Sequence, residues 1–192
     1  MTLIDDFAPR NLWQGIPVAR ANSLQAVLQR AAASGVVLEQ RRHGEELRLG
    51  DAHLLVLHPP APDWERQRVR NDDSIVIEVV YRDVALLLTG DIGADVERAI
   101  VPRLTPARIR ILKVAHHGSR TSTSRELLEA WRPQIALISC GRGNPFGHPA
   151  PDVIARLEAI GARIYRTDLN GEITVDTDGM HARVTTFNGE KQ

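Results

Sequence analysis

The sequence holds a single cysteine, Cys140, in 192 residues. One thiol excludes an intrachain disulfide and any zinc cluster built on cysteines. Aromatic residues make up only 4% of the chain, so stacking of bases on an aromatic platform has little support in the composition. Lysine occurs only at Lys113 and Lys191, and almost all positive charge is arginine. The formal net charge is +0, so no bulk field draws nucleic acid toward the chain. No apolar run approaches the roughly 20 residues of a membrane span. No charged leader is followed by an apolar stretch and a small-residue cleavage site. Taken as written, the chain is expected to be soluble, untargeted and cytoplasmic.

What is present is a chain able to build a core, with 43% hydrophobic and 25% charged residues. That length suits one domain, or one domain with a fragment of another. Two stretches organise the rest. Leu86-Leu-Leu-Thr-Gly-Asp91 and Ile111-Leu-Lys-Val-Ala-His-His-Gly-Ser119 are apolar runs that stop at residues suited to metal chemistry. Each reads as a buried strand ended by a turn. In a sheet with helical crossovers, ligands collect outside the carboxyl ends of the strands. Asp91 and a histidine at 116 or 117 would face one crevice there. A carboxylate can bridge two divalent ions and a neutral imidazole can ligate one of them. Adjacent side chains diverge, so only one of His116 and His117 is expected to ligate, and the sequence leaves open which. Gly118 and Ser119 would let the backbone approach a phosphate and offer N–H donors.

The remaining chain is expected to alternate strands with helices. Residues 1–22 carry few periodic signals, with a loop from Phe7 leading to a short strand near Trp13. Residues 23–33 read as a helix capped by Ser23 and stopped by Gly35. Strands are expected at 36–38 and 53–57, the last ended by His58, with a hairpin at 47–49 bracketed by Gly44 and Gly50. The loop at 59–72 carries Arg66, Arg68 and Arg70. Residues 74–81 alternate, with Ile75, Ile77 and Val79 on one side and Val76, Glu78 and Val80 on the other. Arg82 and Asp83 turn the chain into the strand that delivers Asp91. A short helix at 94–101 is halted near Pro102. Thr123-Ser-Arg-Glu126 fits a capping box opening a helix to about Trp131. A strand at 135–138, a Gly-rich loop at 139–149, a helix at 151–160 opened by Pro151, and three short strands complete the chain. Hairpins first and strand–helix–strand units later indicate a mixed α/β layered fold.

Several motifs occur in one order: Asn71-Asp-Asp-Ser74, Leu88-Thr-Gly-Asp91, Lys113-Val-Ala-His-His-Gly-Ser119, Ser122-Thr-Ser124, Ser139-Cys-Gly141, Asn144-Pro-Phe-Gly-His-Pro149 and Tyr165-Arg-Thr-Asp168. Together they resemble the metallo-β-lactamase-like domain at the C-terminus of ComEC-type competence proteins. The resemblance implies an αββα sandwich with a dinuclear metal site between its sheets, holding zinc or manganese. It implies DNA as substrate during uptake in natural transformation, and a membrane-channel portion of the same parent protein as partner. The domain would then lie on the outer side of the inner membrane. The same resemblance offers His148 as proton donor or phosphate contact, with His116 or His117 completing one ion's shell or moving protons. It makes Asn71 and Ser74, with the acids between them, candidates for a further ligand or substrate contact.

One departure from the pattern stands out. The His-x-His-x-Asp-His motif of the superfamily is nowhere in this sequence, and His43, His53 and His58 are isolated. The expectation is therefore a single partial domain over residues 1–192, N-terminally truncated, with weak or absent metal binding and little or no hydrolysis. Ser119 as a nucleophile is not supported, because no Gly-x-Ser-x-Gly elbow is present. The rival expectations are a non-catalytic module binding DNA or a partner, and a hydrolase of the same fold acting on another small ester.

Overall fold

A computed structural model describes residues 2–16, 22–61 and 70–188 of the chain. Arg66 and Arg68 lie outside the described residues, as does the side chain of Ser23 that was expected to cap a helix.

The chain opens with helix α1 (Thr2–Phe7), strand β1 (Asn11–Gln14), helix α2 (Asn22–Ala33) and strand β2 (Val37–Gln40). β1 and β2 pair in parallel, and Ile4, Ala31 and Val36 form a small core of their own. α1 lies in a stretch whose sequence carries few periodic signals. Six residues are too few to be helical alone; burying Ile4 against Ala31 and Val36 supplies the missing support.

Four strands then form an antiparallel meander: β3 (Glu46–Leu49), β4 (Ala52–His58), β5 (Val76–Tyr81) and β6 (Val84–Leu88). Helix α3 (Ala94–Ile100) leads to β7 (Ile109–Lys113), helix α4 (Arg125–Trp131) to β8 (Ile135–Ile138), and helix α5 (Pro151–Ala159) to β9 (Arg163–Arg166). β6 to β9 run parallel, and the seven-stranded sheet has the order β3-β4-β5-β6-β7-β8-β9. A short helix α6 (Thr167–Asn170) precedes an antiparallel hairpin of β10 (Ile173–Thr177) and β11 (Ala182–Thr186).

The two apolar runs read in the sequence are explained by this layering. Leu87 and Leu112 face the three helices, packing with Val96, Ile100, Leu127, Trp131 and Leu157. Val84 and Ile111 face the other way, against Val184 and its hairpin. Strands covered on both faces have no polar side, so they read as continuous hydrophobic runs. The layers are helices, large sheet and small sheet, a mixed α/β architecture with two sheets face to face.

Two local expectations shift. The cap of α4 is Ser124, whose hydroxyl accepts from Leu127 N, rather than Thr123. The expected Glu126 reciprocation is supplied instead by Glu97 of α3. Its carboxylate, fully buried, accepts from Thr123 N and Ser124 N at 2.6 Å each. α3 ends at Ile100, near Pro102 as expected, and Pro102 sits in a 3-10 turn (Val101–Arg103) that follows it. On β5 the more deeply buried side carries Val76 and, unexpectedly, Glu78, both 0% exposed.

Candidate metal centre

β6 and β7 are in register with Leu88 beside Lys113, so the segments that follow leave the sheet at the same level. Thr89 is fully buried and its hydroxyl donates to Lys113 O at 2.6 Å, tying the two strand tips together. Gly90 follows at φ +58, and a Cβ there would lie 2.6 Å from Ser74 Cβ, so only glycine fits. Ser74 Oγ donates to Asn71 O at 2.7 Å and accepts from Asp91 N at 3.1 Å. The Asp91 N–H is thereby held on a hydroxyl that Asn71 O orients. His116 N donates to Gly90 O at 3.0 Å, so the histidine turn is hung from the aspartate turn.

His116 (φ 48, ψ 43) and His117 (φ 56, ψ 20) both adopt the left-handed conformation. That costs about 1–2 kcal/mol for each non-glycine residue, and strain of this kind collects at functional sites. What it achieves is a divergence of the two rings, whose centroids are 6.5 Å apart. His117 Nδ1 lies 2.7 Å from Ser139 O at the end of β8. A carbonyl oxygen only accepts, so Nδ1 carries the proton and Nε2 of the neutral ring keeps its lone pair. Nε2 faces Asp91 Oδ1 at 3.6 Å, with both side chains partly exposed. A ring nitrogen freed in this way, by a hydrogen bond at the other nitrogen, is the usual dress of a histidine ligand.

His116 turns elsewhere. Its Nε2 lies 3.2 Å from Asn71 Nδ2, and its ring meets that of His148 edge-on at 5.8 Å. Burial, and then the neighbouring His116 and His117, hold the His148 imidazole below its ordinary pKa. Beside this group opens a cleft of about 350 Å³ walled by Asn71, Asp72, Asp91, Asp95, His116 and Thr121. Lys113 lies beneath, its ammonium donating to Val114 O at 2.9 Å. Burial pulls its pKa down and the Asp91 charge opposes that.

The structure therefore gathers Asp91 with His117, and His116 with Asn71 and His148. Ser74 serves Asp91 through the backbone. Ser119 is 7% exposed; its N–H donates to His116 O at 2.9 Å and its hydroxyl is 3.2 Å from Thr121 Oγ1. That N–H is spent inside the turn, in contrast to the expectation that it would meet a phosphate. Gly118 (φ +82) packs on Pro149, which a Cβ would approach to 2.6 Å, and so binds the histidine turn to the His148 loop. Asp72 accepts from Gly93 N at 2.7 Å and Asp73 from Arg70 N at 2.8 Å, both carboxylates bracing loops.

As metal donors, Asp91 and His117 fit adjacent positions of one coordination shell. Among the described residues no group of three or more His, Cys, Asp or Glu side chains could hold an ion. Sequence reasoning overlooked Ser139 O and Glu97. Neither leaves a sequence signal: one is a backbone atom, the other a glutamate in an ordinary amphipathic stretch.

No family model matches the chain. ComE operon protein 3 of Bacillus subtilis (strain 168) is 34% identical over 149 residues, covering 78% of this chain and 19% of that protein. Recombination protein 2 of Haemophilus influenzae is 39% identical over 109 residues, 57% of this chain and 14% of that protein. Competence protein ComA of Neisseria gonorrhoeae is 38% identical over 104 residues, 54% of this chain and 15% of that protein. The chain thus spans at most 19% of the length of these relatives. Among solved structures, similarity extends to a candidate Zn-dependent hydrolase of the metallo-β-lactamase superfamily from Thermotoga maritima. The TM-score is 0.41 and the identity 9%, over 79% of this chain and 77% of that one. Over the stretch they share with it, these proteins of the ComEC family are homologues of the chain.

Proposed function

We propose that this chain forms one wall of a metal-dependent phosphodiester hydrolase site of the metallo-β-lactamase type, in a protein that takes up DNA during natural transformation. One observation carries the reading: His117 Nε2, oriented through Ser139 O, faces Asp91 Oδ1 at 3.6 Å. A carboxylate and a neutral imidazole suit zinc or manganese. Homology to competence proteins supports DNA as the substrate. It also supports a membrane-channel portion of the same parent protein as partner, with the site on the extracytoplasmic face of the inner membrane.

Among the described residues, two donors fall short of the three protein ligands of a catalytic zinc site. No step of hydrolysis is therefore assigned to these residues by themselves, and residues 1–192 are read as a partial domain whose remaining ligands come from another segment. The chain's own part is to present Asp91 and His117 as donors, and to line the cleft with His116, whose ring meets that of His148, two imidazoles able to hydrogen-bond a phosphodiester oxygen.

Zinc titration of the full chain by calorimetry tests this. Weak binding is expected, reduced about ten-fold or more by His117→Ala and by Asp91→Ala, the scale on which lost ligand support acts, with little hydrolysis of DNA. Strong metal-dependent nuclease activity abolished by Asp91→Ala would sink the partial-site reading. The small donor set favours one rival, a non-catalytic nucleic-acid-binding module. Its signature is zinc binding indifferent to both substitutions, with DNA binding that ignores chelator and falls with salt.

A further inference from the structure

The Gly-rich loop after β8 holds an aromatic ring in solvent beside the histidines. Phe146 is 77% exposed, yet its ring lies stacked on His148, centroids 6.0 Å apart and planes 25° from parallel. His148 in turn meets His116. Three rings thus lead from open solvent to the cleft that Asp91 and His116 line.

The loop does not leave this placement to chance. Asn144 brackets the Phe146 turn with its side-chain amide: Oδ1 accepts from His148 N at 3.0 Å, and Nδ2 donates to His148 O at 2.6 Å and to Gly141 O at 3.0 Å. Gly147 supplies the positive φ, +66, that closes the turn. Gly118 packs against Pro149 and ties the same loop to the histidine turn. A braced turn that points a phenyl face outward is pre-organised for a flat apolar ligand, and loses little freedom on binding.

From this geometry we infer that Phe146 is a specificity-determining residue that stacks an unpaired nucleobase, with that strand's phosphodiester directed toward His148 and His116. An unpaired base offers its face to an aromatic side chain, whereas a base inside a duplex is already stacked on its neighbours. The site accordingly takes single-stranded nucleic acid in preference to duplex. The inference rests on the phosphodiester reading above and adds the form of the substrate to it. Overall aromatic content argued against stacking, but one exposed ring, joined to the cleft through His148 and His116, suffices for one base.

The test uses the full chain, chelator throughout, and a single-stranded DNA oligomer carrying 2-aminopurine, whose fluorescence reports stacking. Saturable binding with a change in 2-aminopurine emission is expected, tighter than for the duplex of the same sequence. Phe146→Ala should weaken single-strand binding about five-fold or more, within the range for loss of one base–aromatic stack, and abolish the emission change. Phe146→Trp should retain both. Unchanged affinity and emission in Phe146→Ala, equal affinity for duplex, or no oligomer binding by the unaltered chain would each overturn the inference; a Phe146 that serves only a protein partner gives the first of these. Because chelator is present, the result does not depend on Asp91 and His117 holding metal. Stacking can fail while zinc binding stands, and the reverse.

Discussion

The two ends of strands β6 to β9 are tied by the same kinds of bonds in opposite surroundings. At the carboxyl ends several of the ties are buried or partly buried. Thr89 reaches Lys113 O from a fully buried position, Cys140 N and O both bond Thr167 Oγ1 at 2.8 Å, and Glu97 holds Thr123 N and Ser124 N. At the amino ends they stand in water. Gln134 bridges Arg110 N at 2.7 Å and Arg108 O at 3.0 Å, and Arg108 lies 3.8 Å from an equally exposed Asp83. Left-handed residues occur at both ends. Arg82 and Arg132 take that conformation in exposed positions, a hairpin turn and a helix C-cap, where it is routine. His116 and His117 take it consecutively, beside the cleft. A hydrogen bond lost from a shielded place leaves its partner unsatisfied, while one lost in water is replaced. The difference teaches that the carboxyl rim is held against strain, and that the amino rim merely finishes the sheet.

Glycine substitutions probe this contrast most sharply. Gly118 (φ +82) and Gly161 (φ +75) stand at opposite rims with nearly the same φ. A Cβ at Gly118 would come within 2.6 Å of Pro149 Cβ and 3.0 Å of Pro149 Cα, whereas nothing lies within 4 Å of one at Gly161. Gly161→Ala should therefore lose only the left-handed preference, about 1 kcal/mol. Gly118→Ala adds a clash that moves the His148 loop, for a total of about 3 kcal/mol or more. Urea unfolding of both variants measures this. Equal losses would mean that the carboxyl rim is no more tightly packed than the other.

A smaller effect is expected at the side-chain ties. Glu97→Gln keeps the shape of a 0% exposed side chain but turns an amide NH₂ toward a backbone N–H. One of the Thr123 and Ser124 donors loses its acceptor, at about 2 kcal/mol. Gln134→Ala removes two bonds at the amino rim, but water replaces both, and about 0.5 kcal/mol is expected. A Gln134→Ala loss as large as that of Glu97→Gln would erase the distinction between the rims.

These ties also mark where the sequence stops being informative. Strands β6 and β7 are legible because a strand covered on both faces has to be apolar, and Asp91 and the histidines are legible because they end those runs. Which histidine faces Asp91 is not legible. It depends on a carbonyl at Ser139, 22 residues away, and on two left-handed residues that no composition rule favours. The start of α4 was misplaced by one residue because the Ser124 N–H found Glu97, a partner on another helix. α1 was missed because its stability is tertiary. Stacking at Phe146 is not legible either, because an average over the chain says nothing of where one ring stands.

Glu78 offers the finest division, between two buried carboxylates on the helix-facing side of the molecule. Glu97 receives N–H groups from two residues, one to each oxygen, at the rim. Glu78 lies within the sheet and, among the described residues, is served by Thr105, through its N–H at 3.0 and 3.2 Å and its hydroxyl at 2.7 Å. Burial outweighs those bonds and raises the Glu78 pKa above its ordinary value of 4.5. The folded chain then keeps this proton to higher pH than the unfolded chain does. Where the unfolded state binds fewer protons, stability falls as pH rises. The decline begins near the ordinary carboxylate value, continues to the raised value of the folded state, and is flat above it. Glu78→Gln has no such proton, so the stability of the unaltered chain relative to this variant should fall through that window. Unfolding midpoints of both proteins across the acidic range measure the slope. A difference that stays level or rises with pH would mean that Thr105 solvates the Glu78 carboxylate as well as water does.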